Sequence, residues 1–197
     1  MNLQTRVMNI LTKPAAEWPI IAAEPADVAS IYRDYILLLA AIPAVCTFLG
    51  LMLIGGLFGS YGMSFALVAG VMSYVSTLAS CYIAAFIIEK LAPNFDSRGD
   101  TAQALKLVAY ASTPVWVAGV LHLVPLLGVL ILLAVIYAVY LFYLGLAPVM
   151  KTPQDKVVPY MIVSALVVIV VSVVLSFILT AMTAGAMFGG AMYGRGI

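Results

Sequence analysis

"LKLVAYASTPVWVAGVLHLVPLLG", residues 105–128, is apolar enough to cross a bilayer, yet it carries Pro114 near its centre and Pro125 near its end. A proline inside a helix has no backbone N–H and leaves the carbonyl four residues back, here that of Tyr110, without its helical donor. Hydrocarbon offers no water to replace that donor, so a neighbouring group must meet the carbonyl if the segment is to lie in a membrane. The remainder of the chain points to a membrane. Of its 197 residues, 65% are hydrophobic and 9% charged, well away from the roughly half-apolar, quarter-charged balance of soluble domains. The quoted stretch therefore reads as one span of an all-α integral membrane protein.

A span needs about 20 apolar residues to cross about 30 Å of hydrocarbon. Five stretches qualify, at residues 35–58, 62–88, 102–121, 125–150 and 158–184. They divide the chain into a cytoplasmic interfacial segment (1–34), a five-helix membrane bundle (35–184) and a short external tail (185–197). Basic residues set the orientation. Arg6, Lys13 and Arg33 precede the first span, Lys90, Arg98 and Lys106 fall between or beside the second and third, and Lys151 and Lys156 separate the fourth from the fifth. Only Arg195 lies on the opposite side, which predicts a cytoplasmic N-terminus and an external C-terminus. No apolar core followed by a small-residue cleavage site occurs in the first 30 residues, so no removable signal peptide is expected.

In "MNLQTRVMNIL", residues 1–11, Leu3, Val7, Ile10 and Leu11 recur at helical spacing, with Asn2, Gln4, Arg6 and Asn9 opposite. This pattern predicts an amphipathic helix in the cytoplasmic interface, resting either on lipid or on the protein's own cytoplasmic face. "EPADVASIYRDY", residues 24–35, places Pro25 as a first helical residue and leads into the first span. "DTAQ" at 100–103 and "TPQD" at 152–155 both read as helix caps.

The spans hold little that could do chemistry. Glu89, Lys90 and Lys106 stand at span ends, where Lys106 is expected to snorkel, and His122 reads as an interfacial polar tip. Without an intramembrane carboxylate, a proton relay lacks its usual parts. One histidine and two separated cysteines, Cys46 and Cys81, do not make a zinc site, and no base stands ready to activate a serine. No catalytic residue, metal or cofactor is expected. With nine basic and eight acidic residues and no basic arm, nucleic acid is excluded as a partner.

Hydroxyls and small side chains are what the spans do contain. In the second span Gly62, Ala66 and Gly70 repeat every four positions, as do Ala69, Ser73 and Thr77, and the series Ser76, Ser80 and Ala84. The fifth repeats the device at Ser172, Ser176, Thr180 and Ala184. Such stripes let helix backbones approach closely, within one chain or between copies in a homo-oligomer. The second span is expected to be the central helix. Tyr110 lies one turn before Pro114, and Tyr137 and Tyr140 lie three apart on the fourth span. Two uses of Pro114 fit: a simple bend, or a polar junction at which a neighbouring hydroxyl donates to the freed carbonyl. Tyr110 and Pro114, with Tyr137 and Tyr140 as lining, are the candidate structural or contact residues.

The order of "EWPIIAAEP" (17–25), "SIYRDYILLLAAIPA" (30–44), "LVAYASTPVWVAGVLHLVPLLG" (107–128) and "IYAVYLFYLGL" (136–146) resembles the bacterial branch of the Yip1 family. Tyr110 through Pro114 matches that family's third-span motif. The resemblance covers nearly the whole chain and implies a non-enzymatic protein of membrane organisation in a bacterial cytoplasmic membrane, with membrane lipids and an unidentified membrane protein as partners. Eukaryotic relatives associate with prenylated GTPases of the Rab type. This chain differs from them in its short cytoplasmic N-terminal region and in having no Asp-Leu-Tyr-Gly-Pro motif, so no partner-contact residue carries over. The rival expectation is a small-solute or lipid transporter with a cavity beside the break at Pro114.

Reporter fusions test the orientation. Fusions after Ile10, Asp96 and Gln154 are expected to report cytoplasm and a fusion after Arg195 the outside; both termini on one side would rule out an odd number of spans.

Overall fold

The computed structural model describes residues 2–58, 63–171, 173, 174 and 177, and all regular structure among them is helical. The chain opens with two short helices, α1 (Leu3–Thr12) and α2 (Pro14–Ala23). Asn2 caps α1 by accepting from the Gln4 N–H, and Pro14 stands where a helix needs no N–H. Helix α3 (Val28–Ile31) starts three residues after Pro25, the expected first helical residue, because the Asp27 carboxylate accepts from the Ser30 N–H at 2.8 Å and so fixes the cap. A π turn, Tyr32–Ile36, joins α3 to α4 (Leu37–Phe58) without a break.

Helix α5 (Met63–Leu91) follows, extended by a 3-10 turn at Ala92–Phe95. Asp100 caps α6 (Thr101–Ala111) through the Gln103 N–H at 2.8 Å, as its sequence predicts. Then come α7 (Thr113–Ala118), two 3-10 segments (Gly119–Leu123 and Pro125–Leu130), α8 (Ile131–Met150) and α9 (Val157–Val171). Thr152 is not a cap for α9. Its hydroxyl accepts from Ser97 at 2.9 Å and reaches the Leu146 carbonyl at 3.2 Å, tying together the two loops at this end.

Three helical stretches among the described residues are long and apolar enough to span a membrane: Val28–Leu53, Met63–Phe95 and Leu127–Met150. A fourth is bent by 41° between Thr101–Ala111 and Thr113–Leu123. The fifth expected span is described mainly as α9; its small-residue stripe, Ser172, Ser176, Thr180 and Ala184, and Gly62 of the second span lie outside the described residues.

The second span is not the enclosed centre of the bundle. Helix α6 is: Ala104 to Ala109 and Ala111 are all buried, whereas α5 keeps Leu67, Val71, Val75 and Phe86 exposed along one side. The small stripe of α5 packs within the chain, since a methyl group at Gly70 would stand 3.0 Å from Phe48 Cβ on α4. Close approach recurs at the other end of α4. A Cβ at Gly119 would lie 2.6 Å from Pro43 Cβ, and one at Gly50 would strike the carbonyl of His122.

Tyrosines pin the helices. A carbonyl has two lone pairs, and four hydroxyls donate to carbonyls of other helices: Tyr32 to Leu78 O at 2.7 Å, Tyr74 to Leu37 O at 3.1 Å, Tyr160 to Ile88 O at 2.5 Å, and Tyr137 to Leu11 O, in the last turn of α1, at 2.8 Å. Each bond satisfies a buried or half-buried phenol without a second polar side chain. Outward faces carry Leu132 and Ile136 on α8 and Leu166 and Val170 on α9, the apolar surface expected against lipid.

Gly119→Val forces α4 and α7 apart and is expected to cost about 1–3 kcal/mol through overpacking. Gly128→Ala, with nothing within 4 Å of the added methyl, is expected to leave unfolding unchanged. Thermal unfolding in detergent measures both.

Candidate functional site

The break in the third span is closed by hydroxyls. Pro114 occupies the first turn of α7, where its missing N–H removes a donor that the Tyr110 carbonyl would have received. Thr113 Oγ1 takes its place, 2.7 Å from Tyr110 O. Tyr35 Oη lies 2.6 Å from Thr113 Oγ1. Because the threonine proton is committed to the carbonyl, the Tyr35 hydroxyl is the donor in this second bond. The result is a directed chain from the π-turn region of the first span, through Thr113, to the freed backbone of the third. Thr113 is 0% and Tyr35 4% exposed, so the chain is buried.

Both expected uses of Pro114 are therefore present, the bend and the polar junction. Tyr110 contributes its ring: its centroid lies 4.4 Å from that of Tyr35, and it meets Trp18 edge-on at 6.4 Å. Tyr137 and Tyr140 stand elsewhere. Tyr137 bonds the end of α1, and Tyr140, half exposed, tilts against the Tyr137 ring at 5.8 Å. Tyr110 and Pro114 are thus brought together with Tyr35 and Thr113, while Tyr137 joins the same assembly only through the N-terminal helices.

Those helices form a clasp. Arg6, placed on the polar side by sequence periodicity, is only 5% exposed. It donates to Glu17 at 2.6 Å and to Glu24, and its guanidinium stands 5.7 Å from the Tyr110 ring centroid. Asn9 donates to the second oxygen of Glu17 at 3.0 Å. Lys106 does not snorkel to solvent. Its ammonium is buried and donates to the carbonyls of Ile21 at 2.9 Å and Glu24 at 2.6 Å, where α2 ends and its last carbonyls lack helical donors. Trp18, 1% exposed, enters a notch on α8 that exists because residue 145 is glycine: a Cβ there would stand 2.7 Å from the indole.

The apolar side of α1 accordingly faces protein, with Ile10 fully buried and Leu3, Val7 and Leu11 packed against the core, while Met8 is exposed. The signal was in the sequence: Arg6 falls on the same stripe as Leu3 and Ile10, and Glu17 interrupts an otherwise uncharged "PAAEWPIIAA". A charge inside an apolar stripe announces a partner, although it does not name one.

Two cavities border the junction. An open cleft of about 300 Å³ is lined by Arg6, Glu24, Ser30, Asp34, Lys106 and Tyr110 among others. A second, of about 240 Å³, lies beside Ala111 and Ser112 and is apolar except for serine hydroxyls. Among the described residues no group of three His, Cys, Asp or Glu is placed to hold a metal, and Cys46 and Cys81 are separate buried thiols.

Comparison with known proteins places this architecture. The Yip1 domain matches residues 8–193. The chain belongs to the Yip1 family. Two Escherichia coli relatives, each the "Inner membrane protein YohC", from strain K12 and from O6:H1 strain CFT073, are 29% identical to it over 150 residues, covering 72% of this chain and 77% of theirs. No solved structure matches it. As a Yip1-family chain with several long apolar helices, it is a multi-pass membrane protein of the cell membrane.

Removing one partner from a buried ion pair leaves the other charge unmet, so Glu17→Ala is expected to destabilise by about 3–5 kcal/mol. Tyr35→Phe and Thr113→Val are expected to cost about 0.5–2 kcal/mol each and to be non-additive, since both cut one chain of hydrogen bonds. Chemical or thermal unfolding of the single and double variants reads this coupling.

Proposed function

We propose that the protein is a non-catalytic scaffold of a bacterial cytoplasmic membrane, built as five spans with a cytoplasmic N-terminus, and that it acts through protein and lipid contacts. The observation that carries this reading is the filled, buried junction at Pro114. A transporter built on a broken span leaves backbone groups exposed to a cavity where solute binds. Here the freed carbonyl is occupied by Thr113, Thr113 by Tyr35, and the surroundings by Tyr110 and Trp116. The ion pairs of Arg6 with Glu17 and Glu24 likewise seat α1 and α2. The family membership and the inner-membrane relatives support the setting.

The rival is a lipid transporter, favoured by one observation: the apolar cavity touches the break at Ser112. Two measurements separate the readings. Proximity labelling in the native membrane, followed by direct binding with purified components, is expected to recover a membrane protein partner. Vesicles containing the purified protein are expected to flip a fluorescent phospholipid no faster than protein-free vesicles. Accelerated flipping, abolished by filling the cavity, would replace the scaffold with the transporter.

A further inference from the structure

We propose that the cavity among α5, α6, α8 and α9 is a binding site for one acyl chain of a membrane phospholipid, with Ser164 donating a hydrogen bond to the ester carbonyl. This deepens the lipid-contact part of the scaffold reading and rests on it. The cavity is enclosed by Ala84 of α5, Ala111 and Ser112 of α6, Phe142 of α8, and Ser164 and Ala165 of α9. Its volume of about 240 Å³ exceeds the ~150 Å³ of an engineered apolar cavity that stays dry and takes up a small hydrocarbon.

Two observations choose the occupant. Val139 and Ile169 line the cavity and are also exposed, 43% and 58%, so it opens sideways between α8 and α9 onto the surface that faces lipid. Hydrocarbon is the medium at that opening. Ser164 supplies the second. It is 1% exposed, its hydroxyl has no hydrogen-bond partner among the described residues, and the wall around it is otherwise almost wholly apolar. A buried hydroxyl without an acceptor is costly, and serines on membrane helices commonly bond back to their own helix, which this one does not.

Ser164 lies just below the depth of the phospholipid esters. It stands about 10 Å along α9 from Val157, where the helix enters the headgroup layer beside Lys156 and its partner Asp96. The carbonyls of a phospholipid occupy the border between headgroup and hydrocarbon, and the headgroup regions add about 5–7 Å on each side of the core. An acyl chain drawn in between α8 and α9 until its ester sits about 3–5 Å below that border brings one acceptor to Ser164 and fills the apolar remainder with methylene groups.

The test uses the full chain in vesicles of phosphatidylethanolamine and phosphatidylglycerol, a fraction of the phosphatidylethanolamine carrying a diazirine on one acyl chain. After illumination, adducts are mapped by mass spectrometry. Adducts are expected on Phe142 and Met161, and Ala165→Phe is expected to lower them by at least about fivefold, the factor that corresponds to about 1 kcal/mol. Adducts on Leu67 and Val71, on the far face, are expected to persist. A photoreactive lipid with ether-linked chains, which lacks the carbonyl, is expected to label the cavity about fivefold less in the unmodified protein. Ala138→Leu serves as the filling variant if Ala165→Phe does not fold. Adducts confined to outward residues such as Leu133 and Ile162, equal labelling after filling, or equal labelling by ester and ether lipids would overturn the site. A benzophenone at position 142 that captured residues 178–197 of the chain itself would do the same. None of these results bears on whether a protein partner is recovered, so failure of the lipid site and failure of the scaffold are distinguishable.

Discussion

Everything in this bundle depends on one missing hydrogen. Pro114 cannot donate to the Tyr110 carbonyl, and inside a membrane no solvent molecule makes good the loss. The Thr113 hydroxyl does so at 2.7 Å, and it is held there by Tyr35, 78 residues earlier in the chain. A local defect in one span thereby becomes a specific contact with another. The 41° bend that accompanies it brings Gly119 against Pro43 and the His122 carbonyl against Gly50, so that α4 is gripped along much of its length. Larger side chains at either glycine would push the two spans apart before the hydroxyl chain could close.

The N-terminal clasp obeys the complementary rule for charge. Arg6, Glu17 and Lys106 are buried, and each is matched: Arg6 by two carboxylates and an aromatic face, Glu17 by Arg6 and Asn9, Lys106 by the Ile21 and Glu24 carbonyls at the end of α2. Such an arrangement contributes little net stability compared with an apolar equivalent. What it contributes here is register, since sliding α1 and α2 by one turn along α6 and α8 would leave the Lys106 ammonium unmet and take Arg6 off the Tyr110 ring. Trp18 in the notch at Gly145 fixes the same register sterically.

Polar satisfaction also explains which features point to function. Tyr32, Tyr74, Tyr137 and Tyr160 donate to backbone carbonyls of other helices and so belong to the architecture. Ser164 departs from that pattern: a buried hydroxyl without an acceptor, in an apolar cavity that opens toward the bilayer. Trp18 Nε1 and Gln103 Oε1 are also buried without a partner among the described residues, but Ser164 is the one that lines the apolar cavity beside α8 and α9.

The helical character, the membrane setting, the cap at Asp100 and the special status of Pro114 were legible in the residues alone, because hydropathy, capping and the proline defect act within a turn or two of helix. Tyr110 and Pro114 were found that way. Tyr35 and Thr113 were not, nor was the burial of Arg6 and Lys106. Periodicity assigns a side chain to one face of a helix but does not say what that face meets, and a cation in an apolar stripe reads equally as an interfacial anchor or a buried partner. Only the tertiary structure decides between them. The path of the chain after the bend, and the folding back of α1 and α2 onto α6 and α8, set which distant carboxylate, hydroxyl or carbonyl arrives within about 3 Å, the reach of a hydrogen bond.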